Sequence, residues 1–196
     1  MKMPDQIPIM TLPNAILFPQ ALLPLYIFEP RYRAMLKKSL AEQRMFAIAM
    51  PGGHTKKPRS IGGIGLIRAC VDRPDGTSNL ILQGVSRVRF TNFVQKEPYY
   101  VGSIEVLETH DNNNPEVKKL AGKILSRINQ LHSTDQIEND GIIKFLNELE
   151  DYEAMADIIT YSFIEDVKRK QAILEELDLT SRLRKVLAAL NQIGNE

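Results

Sequence analysis

The residues that most often carry out chemistry in proteins are present in this sequence, but their spacings fit no catalytic motif. Three histidines, His54, His110 and His132, fall in or beside predicted loops, and Cys70 is the single cysteine. A zinc site would require a cluster of cysteine and histidine ligands, so no metal site is predicted. Cys70 lies in a predicted strand and is interpreted as a small core residue rather than as a nucleophile. We predict no catalytic, metal-binding or cofactor-binding residue, and no cofactor.

Phosphate-binding and hydrolase motifs are also missing from the sequence. It contains neither the G-x-x-x-x-G-K-[ST] loop that binds phosphates nor the G-x-S-x-G motif that carries a hydrolase nucleophile. Gly62, Gly63 and Gly65 begin like a dinucleotide-binding G-x-G-x-x-G motif, but Arg68 occupies the position of the third glycine. Glycines inside a strand mark bulges or close packing, and we interpret these three in that way. The protein is therefore predicted not to be an enzyme.

The segment Thr11–Leu36 combines four prolines with a run of large apolar residues. Proline removes a backbone donor and fixes φ, so this composition predicts short edge strands and tight corners. The large apolar residues of the first half exceed what one pair of strands can bury, and some can line an apolar peptide-binding groove. The candidate peptide-binding residues are Leu17, Phe18, Leu22, Tyr26 and Phe28. Of the three aromatic residues in that set, at least two are expected in the core.

Two basic clusters are the remaining candidates for binding. One is a predicted loop that contains Lys56, Lys57 and Arg59. The other begins at Lys168-Arg169-Lys170 and continues in Arg182, Arg184 and Lys185. Acidic residues are interspersed among the basic ones, so we interpret both clusters as solvated surface. The alternative is a contact surface for an acidic partner or nucleic acid, with the loop of the first cluster as the candidate contact.

The overall composition is that of a soluble globular protein. The chain has 196 residues, of which 43% are hydrophobic and 25% charged, and its formal net charge is +1. A nucleic-acid-binding protein usually has a strong basic excess, so nucleic acid is not an expected partner. The single cysteine fits a reducing compartment, and the N-terminus has no signal-peptide pattern. Prolines interrupt the longest apolar run, so we expect no membrane-spanning helix. Together, these features predict a cytoplasmic protein.

The chain changes from strand patterns to helix patterns at the polar segment His110–Pro115. Before it, strands are predicted at residues 7–12, 22–28, 45–50, 61–71, 80–83, 85–90 and 99–107, with a short helix at 31–40. After it, helices are predicted at 117–131, 142–149, 154–164 and 167–177. A last helix has an apolar stripe at helical spacing, Thr180 or Ser181 as its cap, and Gly194 at its end. Strands followed by helices predict an α+β fold with subdomains at residues 1–109 and 110–196.

Three segments, in order along the chain, resemble one known family. The first looks like the opening signature of the Lon N-terminal domain, also called the Lon substrate-binding domain, and comprises Leu12-Pro13, Phe18-Pro19, Pro24-Leu25 and Ile27-Phe28-Glu29-Pro30-Arg31-Tyr32. The second resembles the family's central hairpin and covers residues 65–90, with Pro74-Asp75-Gly76 and Leu82-Gln83-Gly84-Val85-Ser86-Arg87. The third is similar to the closing helical signature and covers residues 170–175, followed by Thr180-Ser181-Arg182-Leu183. Gln20 stands where the family commonly has a glycine after Phe-Pro, so a different corner geometry is expected there.

The resemblance implies a fold and a role. The implied fold is a twisted, β-rich subdomain of PUA-like pseudo-barrel type with a short helix, followed by a helical bundle. In full Lon proteases this region helps to recognise unfolded or tagged proteins, so the implied function is protein or peptide binding linked to protein quality control. The family's ATPase and Ser-Lys protease modules have no counterpart in this sequence. Neither ATP hydrolysis nor proteolysis is therefore expected of this stand-alone domain.

Three functions are compared on this basis. The first is a non-catalytic domain that binds unfolded or specific client proteins, with an extended peptide paired along an edge strand as its binding mode. The second is an RNA-binding PUA-like module that uses Lys56, Lys57 and Arg59, although fold analogy alone is weak evidence. The third is a small hydrolase with an unrecognised site. The first is favoured, and self-association into a homo-oligomer is left open.

Overall fold

The structure, a computed structural model, describes residues 3–53, 57–110 and 114–193. The chain divides into two compact units, Met1–Leu107 and Glu108–Glu196. The first unit contains β1 (Gln6–Thr11), β2 (Leu22–Ile27), α1 (Pro30–Ala41), β3 (Met45–Ala49), β4 (Ile61–Asp72), β5 (Ser78–Gln95) and β6 (Tyr100–Leu107). The second contains α2 (Pro115–Ser133), α3 (Asp140–Glu148), α4 (Tyr152–Phe163), α5 (Val167–Leu174) and α6 (Leu179–Leu190). The α+β fold predicted from the sequence is confirmed.

Strand β5 organises the sheet of the first unit. The strand order is β2-β5-β4-β3-β1-β6, and a further pairing between β5 and β6 closes five of these strands into a ring. Residues 78–83 of β5 pair with β2, whereas residues 87–95 pair with β6. The sequence predicted two short strands here, at residues 80–83 and 85–90, on either side of Gly84. A single strand of 18 residues forms instead, because its first half pairs with β2 and its second half pairs with β6 along the same edge.

Apolar side chains on both faces of the sheet form the core of the first unit. Strand β3 is buried throughout and shows the arrangement most clearly. Its residues Phe46 and Ile48 join a cluster that includes Tyr32 and Met35 of α1. Its residues Met45, Ala47 and Ala49 join a second cluster, with side chains of β1, β4 and β5. Because successive side chains of a strand alternate between faces, burial on both faces gives β3 its continuous apolar sequence.

The segment between β1 and β2 lies directly against glycines of the sheet. A Cβ atom at Gly63 would overlap the carbonyl oxygen of Leu17, and one at Gly84 would overlap that of Phe18. The interpretation of Gly63 as a close-packing glycine is therefore confirmed. Gln20 then turns the chain into β2 with a φ of 64°, in the left-handed region that favours glycine. Gln20 therefore adopts a conformation that glycine adopts at lower cost, and a corner geometry different from that of the family stays a prediction.

Each helix of the second unit begins at an Asn or Asp side chain that accepts a hydrogen bond from a backbone N–H of the first turn. These caps are Asn114, Asn139, Asp151, Asp166 and Asp178. They satisfy donors that no carbonyl within the helix can reach. The prediction of Thr180 or Ser181 as the cap of the last helix is wrong, because α6 begins at Leu179 and the Ser181 N–H donates to Asp178 Oδ1 at 2.7 Å. Gly194 lies outside the described residues.

Arg182 of α6 is the largest fully buried side chain in the described part of the chain, with none of its surface exposed. Its Nε donates to the Glu176 carbonyl at 2.7 Å, its Nη1 to Glu153 Oε1 at 3.2 Å, and its Nη2 to Thr109 Oγ1 at 2.9 Å. A buried charge is tolerated when an opposite charge and hydrogen bonds compensate for lost water. The interpretation of Arg182 as solvated surface is therefore wrong, although Arg184 on the same helix is exposed.

Candidate peptide-binding surface

Strand β2 lies at the end of the described sheet and has one buried and one exposed face. Its inward-facing residues are Leu23, Leu25 and Ile27. The residues between them, Leu22, Pro24 and Tyr26, are exposed, as the two-residue period of a strand requires. Phe28 follows the strand and is also exposed. Leu22, Tyr26 and Phe28 leave 54%, 49% and 58% of their surface accessible, so β2 presents large apolar groups to solvent.

The exposed face of β2 continues across β5 onto β4. The cross-strand rows are Pro24–Ile81–Ala69 and Tyr26–Asn79–Val71. We call the shallow depression that these six residues line the outer groove; it has a volume of about 460 Å³. Five of the six are apolar or aromatic, and Val71 is 65% exposed. A continuous apolar surface of this kind is a common site of protein or peptide binding.

Aromatic and cationic side chains meet at the Tyr26 end of the outer groove. The rings of Tyr26 and Phe28 stack with their centroids 5.8 Å apart and an interplanar angle of 27°. The Arg73 guanidinium carbon lies 5.3 Å from the centroid of the Tyr26 ring, within the range of a cation–π interaction. The Asn79 amide oxygen, assigned from its hydrogen-bonding pattern, accepts from Arg73 Nε at 3.2 Å and Nη2 at 3.0 Å. These contacts hold the Arg73 cation beside the groove.

The turn between β4 and β5 fixes the backbone that carries Arg73. The Arg73 N–H donates to the Thr77 carbonyl at 2.8 Å, and Gly76 has a φ of 77°. Asp75 Oδ1 accepts from the Thr77 N–H at 2.9 Å and from its hydroxyl at 2.7 Å. These hydrogen bonds from Thr77 hold the pKa of the Asp75 carboxyl below its ordinary value. The Pro74-Asp75-Gly76 turn predicted from the sequence is therefore a hydrogen-bonded, well-defined hairpin.

Two of the candidate peptide-binding residues are wrongly assigned to the surface. Leu17 and Phe18 have 0% of their surface exposed, because the glycines of β4 and β5 let their segment pack directly on the sheet. The expectation that two of the three candidate aromatic residues lie in the core is also wrong, since Tyr26 and Phe28 are exposed. A binding role for Leu22, Tyr26 and Phe28 stays a prediction, now with a defined surface around it.

Sequence reasoning missed the contributions of β4 and β5 to this surface. Val71 and Arg73 lie far along the chain from β2, and nothing in their local sequence places them beside Tyr26. One local signal was available, since Ala69 and Val71 alternate with the partly buried Cys70 at the end of a predicted strand. That alternation indicates an exposed apolar face but does not identify its neighbour. The cross-strand register supplies the missing information.

The backbone of β2 limits the addition of a further strand. The Gly84 N–H donates to the Ala21 carbonyl at 2.8 Å. The alternation of an antiparallel ladder then directs every second residue, beginning with Leu23, toward β5. The backbone groups of Pro24 and Tyr26 point away from β5, and Pro24 has no N–H to offer a new strand. Pro24 therefore interrupts the row of backbone donors along this edge, and edge-strand pairing with a peptide stays a prediction.

The basic contact loop predicted from the sequence is only partly described. Lys56 lies outside the described residues. Lys57 is exposed, and its Nζ lies 5.4 Å from the centroid of the Phe93 ring. Arg59 is exposed, and its backbone N–H donates to the Met50 carbonyl at 2.8 Å. A contact role for this loop stays a prediction.

Cys70 is half-buried, and burial is the main cause that raises the pKa of its thiol above the ordinary value. Over residues 3–53, 57–110 and 114–193, no group of three His, Cys, Asp or Glu side chains is placed to hold a metal ion. Within the same ranges, no helix has both the length and the apolar character needed to cross a membrane. The Cys70 thiol is a weak nucleophile, because its raised pKa keeps it in the neutral form.

Comparison with solved structures supports the fold. The N-terminal domain of a Lon protease from the Mycobacterium avium complex matches 95% of this chain and 98% of its own, with a TM-score of 0.79 and 20% sequence identity. A Lon N-terminal domain protein from Xanthomonas campestris matches 93% of this chain and 97% of its own, with a TM-score of 0.67 and 20% identity. At these identities the likeness establishes a shared fold.

Sequence comparison extends over nearly the whole chain. A Lon protease of Dictyoglomus thermophilum is 26% identical over 98% of this chain, and one of Desulfosudis oleivorans is 25% identical over 97%. The chain spans about a quarter of the length of these relatives, at 26% and 24% respectively. The family model described as the ATP-dependent protease La (LON) substrate-binding domain matches residues 6–192. The chain therefore belongs to the Lon substrate-binding domain family.

Proposed function

We propose that this chain recognises protein substrates by binding exposed apolar peptide segments in the outer groove, without catalysing a reaction itself. The observation that carries the proposal is the exposure of Tyr26, Phe28 and Val71 on one continuous surface. Burying such residues against a partner removes apolar area from water, which is favourable by about 25 cal/mol per Å². Aromatic residues in particular contribute much of the binding energy at protein interfaces.

The family description gives independent support for substrate recognition. A substrate-binding domain that serves many client proteins needs contacts that do not demand one sequence. Aromatic rings and a shallow apolar groove meet that need, because unfolded proteins expose apolar side chains that folded proteins bury. We extend the proposal to protein quality control in the cytoplasm, where such a domain would hold misfolded clients.

The test is the binding of an unfolded model protein to the full chain. Fluorescently labelled, reduced and carboxymethylated α-lactalbumin would be titrated with wild-type protein and followed by fluorescence anisotropy. The double variant Tyr26→Ser, Phe28→Ser is expected to bind about tenfold more weakly or worse, since a tenfold change corresponds to ~1.4 kcal/mol and buried aromatic anchors often contribute more.

A matched control comes from the helical unit. Phe145 of α3 is 51% exposed, so Phe145→Ser removes a comparable aromatic surface elsewhere and is expected to leave the affinity unchanged. Circular dichroism would establish that all variants remain folded. Equal weakening by Phe145→Ser would show nonspecific apolar adhesion, and the lack of saturable binding across a panel of unfolded proteins would contradict the proposal.

A further inference from the structure

Among the residues that the structure describes, no carboxylate forms an ion pair with Arg73 at the end of the outer groove. Among the described side chains, those in direct contact with the Arg73 guanidinium are the Tyr26 ring and the Asn79 amide, and both are neutral. Arginine carries five N–H donors, and the two hydrogen bonds to Asn79 use two of them. The remaining donors sit on an exposed, positioned side chain beside an apolar groove.

The carboxylates closest to Arg73 and Phe28 in the sequence have other partners. Asp72 Oδ1 accepts from the Ser78 hydroxyl at 2.7 Å, and Asp75 is held by Thr77. Glu29 forms an ion pair with Arg31 at 2.8 Å. Of these, Asp75 is near enough for Arg73 to lower its pKa slightly, but its hydrogen bonds from Thr77 have the larger effect.

We propose that Arg73 gives the outer groove a preference for apolar peptide segments flanked by an acidic residue. The inference rests on the proposed function and specifies the chemistry of its substrate. An apolar side chain would lie against Val71 and Tyr26, while a neighbouring carboxylate accepts hydrogen bonds from Arg73. The positioned guanidinium favours this geometry because a planar fork of donors matches a carboxylate. Arg73 is thus a specificity-determining contact rather than the source of most of the affinity.

The experiment uses three fluorescein-labelled peptides of equal length with one apolar core. The core Leu-Phe-Ile-Phe would be followed by Asp-Glu, Asn-Gln or Lys-Lys, and each peptide would be titrated with the full chain. We expect the acidic peptide to bind about threefold to fivefold more tightly than the neutral one, as for an exposed charge pair. The preference should shrink in high salt, which screens exposed charges.

Variants of Arg73 separate this preference from general affinity. In Arg73→Gln, the affinities for the Asp-Glu peptide and the Asn-Gln peptide should become about equal. In Arg73→Glu, the Lys-Lys peptide should bind more tightly than the Asp-Glu peptide. Arg89→Gln is the matched control, because Arg89 is exposed in the same unit and pairs with Glu105 at 2.8 Å. This control removes the same charge and should keep the preference.

The outcomes distinguish the two levels of the proposal. Equal affinities for the three peptides would overturn the acidic preference. If their binding still weakened in Val71→Ser, the proposed function would stand. An acidic preference that survives Arg73→Gln would also overturn the role of Arg73. If none of the three peptides and no unfolded protein binds saturably, the proposed function fails and this inference fails with it.

Discussion

Replacing Arg182 with alanine should severely destabilise the helical unit. The side chain is fully buried and donates to the Glu176 carbonyl, the Glu153 carboxylate and the Thr109 hydroxyl at 2.7, 3.2 and 2.9 Å. Breaking a buried ion pair from one side typically costs about 3–5 kcal/mol. Glu153 retains 34% side-chain exposure and can recover water, so we expect the lower part of that range, about 3–4 kcal/mol.

Urea unfolding followed by far-ultraviolet circular dichroism measures this loss, because five of the six helices in the described residues belong to the second unit. Arg184→Ala is the matched control on the same helix. Arg184 is exposed and pairs with Glu116 at 2.8 Å, so its removal should cost less than about 1 kcal/mol. Arg182→Lys keeps the charge but loses the forked geometry, and gives a measurable intermediate if the alanine variant does not fold. A loss below about 1 kcal/mol for Arg182→Ala would refute the reasoning, since it would mean that the buried network contributes no more than a surface pair.

Three further predictions follow from single features of the structure. Gln20→Gly should stabilise the protein by about 0.5–1 kcal/mol. The left-handed conformation costs ~1–2 kcal/mol for a residue with a Cβ, and the greater freedom of glycine in the unfolded chain offsets part of the gain from removing that cost. A lower melting temperature for the variant would contradict this prediction. Asp178→Ala should cost about 1 kcal/mol through loss of the α6 cap, whereas Asp178→Asn should keep the cap. Hydrogen bonds from Ser181 hold the pKa of the Asp178 carboxyl below its ordinary value of 3.8. The stabilisation that the ionised carboxylate provides is therefore present above that pH and is lost as the pH falls through the folded-state pKa. Melting curves measured from neutral to acidic pH should show a smaller loss of stability for Asp178→Asn than for wild type. Cys70 should react with a thiol reagent more slowly in the native than in the urea-unfolded chain, because burial raises the pKa of its thiol, and equal rates would show that the thiol is not protected.

Local sequence patterns were sufficient for the types of most elements. The apolar residues 22–28 predict a strand, and β2 indeed forms at Leu22–Ile27, with Leu23 and Leu25 partly buried against the core and Tyr26 exposed. The apolar stripe of the last helix likewise corresponds to the buried residues Leu183 and Val186 of α6. Both patterns are read within a few residues, so no knowledge of distant partners is needed.

The same patterns failed where a distant partner decides burial. Arg182 sits beside the apolar stripe of α6 and looks like a surface cation, but Glu153 and Thr109 from elsewhere in the chain compensate its charge. Leu17 and Phe18 lie in a proline-rich segment without regular alternation, and glycines of other strands let them pack against the sheet. Neither set of partners can be identified from the residues next to the side chain concerned.

The candidate site shows the same division between local and long-range information. The four prolines and the apolar composition of Thr11–Leu36 were enough to indicate apolar edge strands and a short helix, and the family motifs indicated the fold. Tertiary structure alone placed Val71 and Arg73 next to Tyr26, because that contact depends on the register of three strands joined through β5. A strand's own sequence specifies which side chains share a face, whereas strand pairing determines which faces become neighbours.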